Sequence, residues 1–501
     1  MKKYLAFIAF SLCLIGNAQN INDVLRYSNE NLQGTARFQA MSGAFGALGG
    51  DLSSLNVNPA GAAVFNNSLM TLSGSYYNRD NDASYFGTLN NTRFNDTDLN
   101  QIGGVFVFKT AEDDADWKKF ALAFNYDVTQ NFDNRILASG QSTEGIDNYF
   151  LNFAQGVPLN SILLQEGEFI EDAYLDIGAN QGFADQQAFL GYYGGLIDPV
   201  GTDDSTTNYV SNATYSRVNQ ELSRTTAGYN SKFTLNAASQ YRDVLYIGGS
   251  LNFHSLFYDR LDQLRESGYD AESEIQNTTF DNFLRTEGNG FSFSVGAIAK
   301  LNDYVRLGGS YQSPTWYRLT DDFSQRINSD LADEDINFID FDIINLFEVY
   351  RIKTPSKLTG SMAIIFGKNG LLSFDYGYQD FSQAELRPIS DSSFQSVNTQ
   401  ITNELGAVST LRLGGEYRIK QISLRGGYRF EQSPYANGNT IDDLTGFSGG
   451  IGYNFGGSRL DFGINRTEQN INERLLDTGV TTPIMINRVL TNATLSYTLN
   501  F

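Results

Sequence analysis

From about residue 67 onward, apolar and polar positions alternate with a period of two. The last segment shows it most plainly. Val489, Thr491, Ala493, Leu495, Tyr497, Leu499 and Phe501 fall on one face, and Arg488, Asn492, Thr494, Ser496, Thr498 and Asn500 on the other. Phe120, Leu122, Phe124, Tyr126 and Val128 alternate in the same way with Ala121, Ala123, Asn125 and Asp127. Successive side chains of a strand point to opposite faces, so this period predicts β-strands. The pattern predicts fourteen, near 68–79, 101–110, 118–130, 224–242, 244–260, 280–301, 303–325, 342–367, 370–386, 405–419, 421–432, 443–456, 458–468 and 487–501.

The connections carry as much information as the strands. Every second one is short: 111–117, Arg242-Asp243, Asn302-Asp303, Lys368-Asn369, Lys420 and Gly457. The others are long: 80–100, 131–223, 261–279, 326–341, 387–404, 433–442 and 469–486. A soluble sandwich also alternates apolar and polar residues, but it has no reason to alternate loop lengths. Short turns on one side and long loops on the other mark an outer-membrane barrel. In lipid an open sheet edge leaves backbone groups unpaired, so the sheet must close. The expected fold is all-β: a 14-stranded antiparallel transmembrane β-barrel. An even count puts the C-terminus with the short, periplasmic turns.

The charges inside these segments fix which face is which. Arg412, Glu416 and Arg418 share one face, and Arg425 and Arg429 share the corresponding face of the next strand. An Arg facing lipid at mid-depth costs roughly 2–4 kcal/mol. These five groups are therefore expected to face the lumen and to pair there, with Glu431 and Asp375 as further partners.

Composition agrees with this picture. The 501 residues include 28 Tyr, 37 Phe and 48 Gly but 8 Pro, and only 18% are charged. Past residue 20 no run approaches the roughly 20 apolar residues of a membrane helix. The net charge of −22 disfavours nucleic acid, which is bound through basic patches. Met1-Lys2-Lys3, the apolar Tyr4 to Ile15, and Gly16-Asn17-Ala18 read as a signal peptide, 1–18, cleaved after Ala18. The one cysteine, Cys13, lies inside it. The mature chain is then expected to hold no disulfide, thiol nucleophile or thiolate metal site, and no cofactor or metal is implied.

Residues 19–66 precede the first strand and do not alternate. They are rich in small residues from Thr35 to Asp51 and continue into Asn58-Pro59-Ala60-Gly61. This run resembles the N-terminal hatch, or plug, of the FadL family of outer-membrane transporters for long-chain fatty acids and aromatic hydrocarbons. Thr354-Pro355-Ser356-Lys357-Leu358 with the strands that follow it, Leu411 to Arg418, and Leu424 to Pro434 resemble further blocks of that family. The terminal Phe501 resembles the signal read by the barrel assembly machinery. The resemblance implies fourteen strands, a hatch at 19–66 blocking the lumen of a barrel at 67–501, and an apolar groove among the outer loops. It also implies lateral exit through a kinked third strand, here 118–130 leading into Gln130-Asn131-Phe132-Asp133.

Two places could then handle a ligand. Asn58, Pro59, Ala60 and Gly61 are expected to form a turn, structural or acting as a gate. The long connection 131–223 carries apolar residues where an aqueous loop should be polar. Phe150, Phe153, Leu163, Phe169, Ile170, Tyr174, Phe189 and Tyr192 are the candidate groove, and a self-packed cap is the competing reading. Glu168 to Leu175 and Gln181 to Tyr193 read as short helices within it. A second apolar stretch, Asn337 to Phe347, is largely explained as strand.

The expected function is passive, hatch-gated transport of hydrophobic small molecules across the outer membrane of a Gram-negative cell. A surface adhesin or binding barrel is the alternative, and a hydrolase a weaker one: His254 is the only histidine and no motif sets up a triad around it. Expected partners are a hydrophobic ligand, outer-membrane lipids and lipopolysaccharide, and the assembly machinery through Phe501. A monomer is expected because the barrel closes on itself.

Overall fold

The computed structural model describes residues 19–112 and 114–501. The expected signal peptide, with Cys13, lies outside the described residues. Nearly all strand segments join one sheet. They make fourteen crossings: β1 (Leu69–Tyr85), β2 (Thr88–Lys109), β3 (Trp117–Asn131, resumed as Asn134–Ser142), β4 (Val218–Tyr241), β5 (Leu245–Ser267), β6 (Asn277–Lys300), β7 (Val305–Gln312 and Trp316–Ser329), β8 (Tyr350–Lys353 and Lys357–Phe366), β9 (Gly370–Asp380), β10 (Ala407–Ile419), β11 (Ile422–Glu431), β12 (Leu444–Asn454), β13 (Ser458–Arg474) and β14 (Pro483–Asn500).

β14 pairs with β1 from Leu69↔Asn500 to Ser84↔Met485, which closes the barrel. The alternation puts Leu495, Tyr497 and Leu499 outside and Thr494, Ser496 and Thr498 inside. Inside, the hydroxyls satisfy one another: Ser73 Oγ lies 2.7 Å from Ser496 Oγ and Ser75 Oγ 2.6 Å from Thr494 Oγ1. The short turns fall where the sequence places them, as in Gly367 to Asn369 between β8 and β9.

The long connections are less loop-like than expected. The stretch 80–100 is no loop: β1 and β2 run on as a hairpin to a tight turn at Phe86-Gly87, both with positive φ. Its residues are polar on both faces, as in Asp80-Asn81-Asp82 and Asn90-Asn91-Thr92-Arg93. Above the hydrocarbon neither face needs apolar side chains, so the strand leaves no apolar alternation to read. The segment 387–404 holds a helix, Ser392–Glu404, capped by Asp391. Conversely, 342–349 is mostly irregular and β8 begins at Tyr350. β7 and β8 are interrupted side by side at Pro314 and Pro355. Proline cannot donate to a ladder, and Thr315 N–H donates instead to Thr354 Oγ1 at 2.8 Å.

Candidate functional site

Residues 19–66 lie within the barrel and are almost wholly buried. Two helices, α1 (Ile21–Ser28) and α2 (Ala36–Ala40), precede two short 3-10 turns, Leu52–Asn56 and Pro59–Val64. α1 carries a capping box between Asn20 and Asp23. It seats Val24, Leu25 and Tyr27 among Leu256, Tyr258, Leu284, Tyr317 and Tyr350 of the wall. Below it the small residues make sense. At Gly248, Gly308, Gly414, Gly427 and Gly463 of the wall, an added Cβ would come within 3.0 Å of the hatch backbone. The socket is cut to the hatch chain itself.

Polar contacts fasten the same surface. Asn58 caps the turn that follows it by accepting from Ala60 N–H at 3.1 Å, and its amide donates to Gly46 O at 2.8 Å and to Ala297 O of β6 at 3.0 Å. Asn236 donates to Pro59 O at 3.0 Å and Ser310 to Val57 O at 2.6 Å. Asp375 accepts from Phe45 and Gly46 N–H, at 2.9 and 3.0 Å. Glu30 pairs with Lys232 at 3.0 Å. Burial pushes the Glu30 carboxyl up, but Lys232 and Lys357 outweigh it and hold it down at about 2.

The lumen charges sit where the parity argument puts them. Glu416 and Arg425 are each 1% exposed in their side chains and pair at 2.7 Å. Arg37 of the hatch joins Glu416 at 2.8 Å, and Arg425 and Arg459 share Asp461 at 2.7 and 2.6 Å. Arg418 reaches Glu416 from the rim, half exposed. Arg429 pairs with Glu431 at 2.6 Å. Arg412 faces inward without an ion pair among the described residues. Removing one partner of such a buried set typically costs about 3–5 kcal/mol. The hatch is therefore held as part of the barrel, with Asn58, Pro59, Ala60 and Gly61 wedged against β4 to β7.

Above the hatch lies a cavity of about 960 Å³. Its lining mixes apolar Leu25, Ile136, Phe183, Leu284 and Phe323 with charged Arg79, Arg224, Arg260, Asp262, Glu473 and Arg488. Arg224 and Asp262 pair across β4 and β5.

At Gln130, Asn131 and Phe132 this cavity meets a defect in the wall. The ladder between β2 and β3 ends at Gln101↔Asp127. β3 has a register shift between Val128 and Gln130, breaks after Asn131, and resumes at Asn134 paired only to β4. There Phe132 N–H donates to Gly228 O at 2.8 Å and Gly228 N–H to Asp133 Oδ1 at 2.9 Å. Gly228 has φ of 115°, a backbone shape that suits glycine. From there up, β2 and β3 are joined by side chains: Asn131 to Asp96 at 3.2 Å, Thr92 to Arg135 O at 2.9 Å, Ser139 N–H to Asn90 at 2.9 Å. The exposed rings of Tyr76 and Tyr229 mark the outer interface on the strands flanking this seam. Tyr229 pairs with Asn131, so the seam begins below that level, in the hydrocarbon.

The candidate groove residues lie elsewhere. Helices α3 (Ile146–Ala154), α4 (Ile170–Asn180) and α5 (Phe183–Tyr193) pack into a cap. Phe150, Ile170, Tyr174 and Phe189 are in its core, Phe153, Leu163 and Tyr192 pack on its edge, and Phe169 alone is exposed. None of the eight lines the 960 Å³ cavity, whose cap-side surface comes from Tyr149 and Phe183. The cap satisfies its own apolar side chains, and the cavity forms beneath it. Asn131 and Phe132 lie in the segment where the resemblance implied an exit, whereas Asp96 and the arginines of the upper cavity were missed as site residues; polar strand ends give no apolar signal. In the second apolar stretch, Phe338, Ile344 and Leu346 are exposed at the outer mouth. His254 faces the lumen, bonded to Ser292 at 3.0 Å and Tyr317 at 3.3 Å, with no carboxylate on it among the described residues.

Comparison with known proteins adds to this geometry. No curated protein matches the chain. Among solved structures, a Pseudomonas aeruginosa FadL homologue aligns over 94% of this chain and 99% of its own, at 13% identity with a TM-score of 0.56. The Pseudomonas putida toluene transporter TodX aligns over 95% and 100% at 14% identity, TM-score 0.47. The Ralstonia pickettii toluene transporter TbuX aligns over 94% and 99% at 14% identity, TM-score 0.47. The family model described as outer membrane protein transport protein (OMPP1/FadL/TodX) matches residues 199–484, more than half of the chain. With the closed 14-strand barrel and its internal hatch, this match places the chain in the outer membrane as a member of that transport-protein family.

Proposed function

We propose that the protein passes hydrophobic small molecules passively from outside the cell into the outer membrane, by way of the cavity under the cap and the seam between β2 and β3. The observation that carries this reading is the contact between the 960 Å³ cavity and a stretch of wall lacking backbone pairing. A ligand leaving there would break a few half-buried or exposed side-chain hydrogen bonds, at about 0.5–1.5 kcal/mol each. A ligand leaving down the axis would have to break the buried charge set and the hatch contacts together. Exposed Phe338, Ile344 and Leu346 at the mouth supply a first apolar contact. Long-chain fatty acids and aromatic hydrocarbons are the cargo classes that the family's transporters suggest.

In this reading 1–18 is a cleaved signal peptide, 19–66 the hatch and 67–501 the barrel. Asn58 to Gly61 keep the gate seated, and the lumen charges keep the hatch docked. The cap residues Phe150, Phe153, Leu163, Phe169, Ile170, Tyr174, Phe189 and Tyr192 roof the entry. The barrel works as a monomer among outer-membrane lipids and lipopolysaccharide, is inserted through recognition of Phe501, and carries out no catalysis. The test is uptake of labelled long-chain fatty acid and of toluene by cells with and without the protein. Protein-dependent uptake of either supports the reading; correctly inserted protein that leaves both unchanged would overturn it.

A further inference from the structure

Deep in the lumen, between hatch and wall, the charges do not balance pairwise. Lys357 on β8, Arg412 on β10 and Arg429 on β11 lie within electrostatic range of one another. Three carboxylates are near, and each is already engaged. Glu30 pairs with Lys232, Glu431 with Arg429, and Asp375 accepts from the hatch amides of Phe45 and Gly46. Among the described residues the side chains of Lys357 and Arg412 make no hydrogen bond or ion pair, and the buried Nε atoms of Arg412 and Arg429 have no acceptor. Arg429 is 4% exposed, so little solvent reaches it.

Two small cavities flank this cluster. One, about 40 Å³, is lined by Glu30, Gln312, Lys357, Thr410 and Arg429; the other, about 10 Å³, by Gln312, Lys357, Thr359 and Arg412. A buried cation needs a counter-charge or an acceptor. The space holds a few waters or one small ion, and is too small and too polar for a hydrocarbon tail.

We propose that Lys357, Arg412 and Arg429 bind a small free anion of halide or phosphate size at the junction of hatch and wall. The ion supplies the missing counter-charge. It thereby leaves Asp375 to the hatch amides and Glu30 to Lys232 of the wall, so that seating of the hatch depends on the anion present. This inference does not depend on what the barrel transports.

The test is an anomalous-scattering map of crystals of the full mature protein soaked in bromide. A bromide peak is expected within reach of Lys357 Nζ and the Arg412 guanidinium, lost in a Lys357→Gln/Arg412→Gln variant whose folded barrel is verified by its heat-shifted gel band. A wild-type map with no peak there would overturn the proposal without recourse to any variant. A parallel soak with bromide and dodecanoate separates a resident ion from a cargo headgroup: retention of the peak supports the free anion, and its replacement by the carboxylate overturns it. In solution, amide exchange at Phe45 and Gly46 is expected to be several-fold slower in chloride than in gluconate, and equal rates would count against the link to the hatch.

Discussion

Asn58 shows how much one side chain can hold. Its carbonyl caps the turn that starts at Pro59, and its amide ties that turn to Gly46 within the hatch and to Ala297 in the wall. An N-cap is worth about 1 kcal/mol, and two further buried acceptors are stranded when it goes. Asn58→Ala is expected to loosen the hatch without unfolding the barrel. Amide exchange across Ala47 to Gly50 should quicken at least tenfold, with the strand amides unchanged; exchange identical to wild type would contradict the role. Glu30 gives a second test at this scale. Its carboxyl is held at about 2, below its ordinary 4.5. A group depressed on folding contributes stability that is present above its unfolded value and lost as pH falls toward the folded one. Protection of hatch amides should therefore hold at pH 5 and fall between about 4.5 and 2, and Glu30→Gln should flatten that part of the profile. The charged lumen residues were legible individually, because parity placed Arg412, Glu416, Arg425 and Arg429 on the inner face. Their partners were only partly so: Arg37 comes from the hatch and Asp461 from β13, and no spacing along the chain announces either contact.

Among the elements, the hatch and its socket are defined by glycine on both sides. Gly308 faces Gly46 O closely enough that no side chain fits, whereas Gly309, one residue on, has nothing within 4 Å of where its Cβ would be. Gly308→Val is expected to unseat the hatch and raise single-channel conductance in planar bilayers, with Gly309→Val silent. Equal conductance in the two variants would refute the socket. Strands within the membrane were legible because lipid demands an apolar outer face and the packed lumen a small or polar inner one. The extensions beyond the membrane were not. In 80–100 both faces are wet, so the hairpin reads as loop, although the ladder continues there without a break from Asp80↔Arg93 to Tyr85↔Thr88. Of the cap helices, α4 and α5 were found from their apolar content, α5 near its true ends and α4 stopped early at Leu175, while α3 was not. Where the ligand space lies was not, because the cap spends that apolar content on its own core. The seam residues are polar and local sequence gives no hint that β2 and β3 part after Gln101 and Asp127.

For the whole molecule, a closed wall and a fastened hatch leave, among the described residues, the seam between β2 and β3 as the weak line where the upper cavity faces lipid. The buried network of Arg37, Glu416, Arg425 and Asp461 spans hatch and barrel, so displacing the hatch costs far more than parting Asn131 from Asp96. The proposed lateral exit from the upper cavity rests on that inequality. The most direct measurement pairs Asp96→Cys with Asn131→Cys, whose native side chains meet at 3.2 Å across the seam. Only Cys13 would be a competing thiol, and it lies in the segment expected to be cleaved. Uptake of labelled fatty acid or toluene is then followed in oxidised and reduced cells. Lateral exit predicts that oxidation abolishes protein-dependent uptake and that a reductant restores it. Uptake unaffected by a fully formed disulfide would contradict it and send the ligand past the hatch instead.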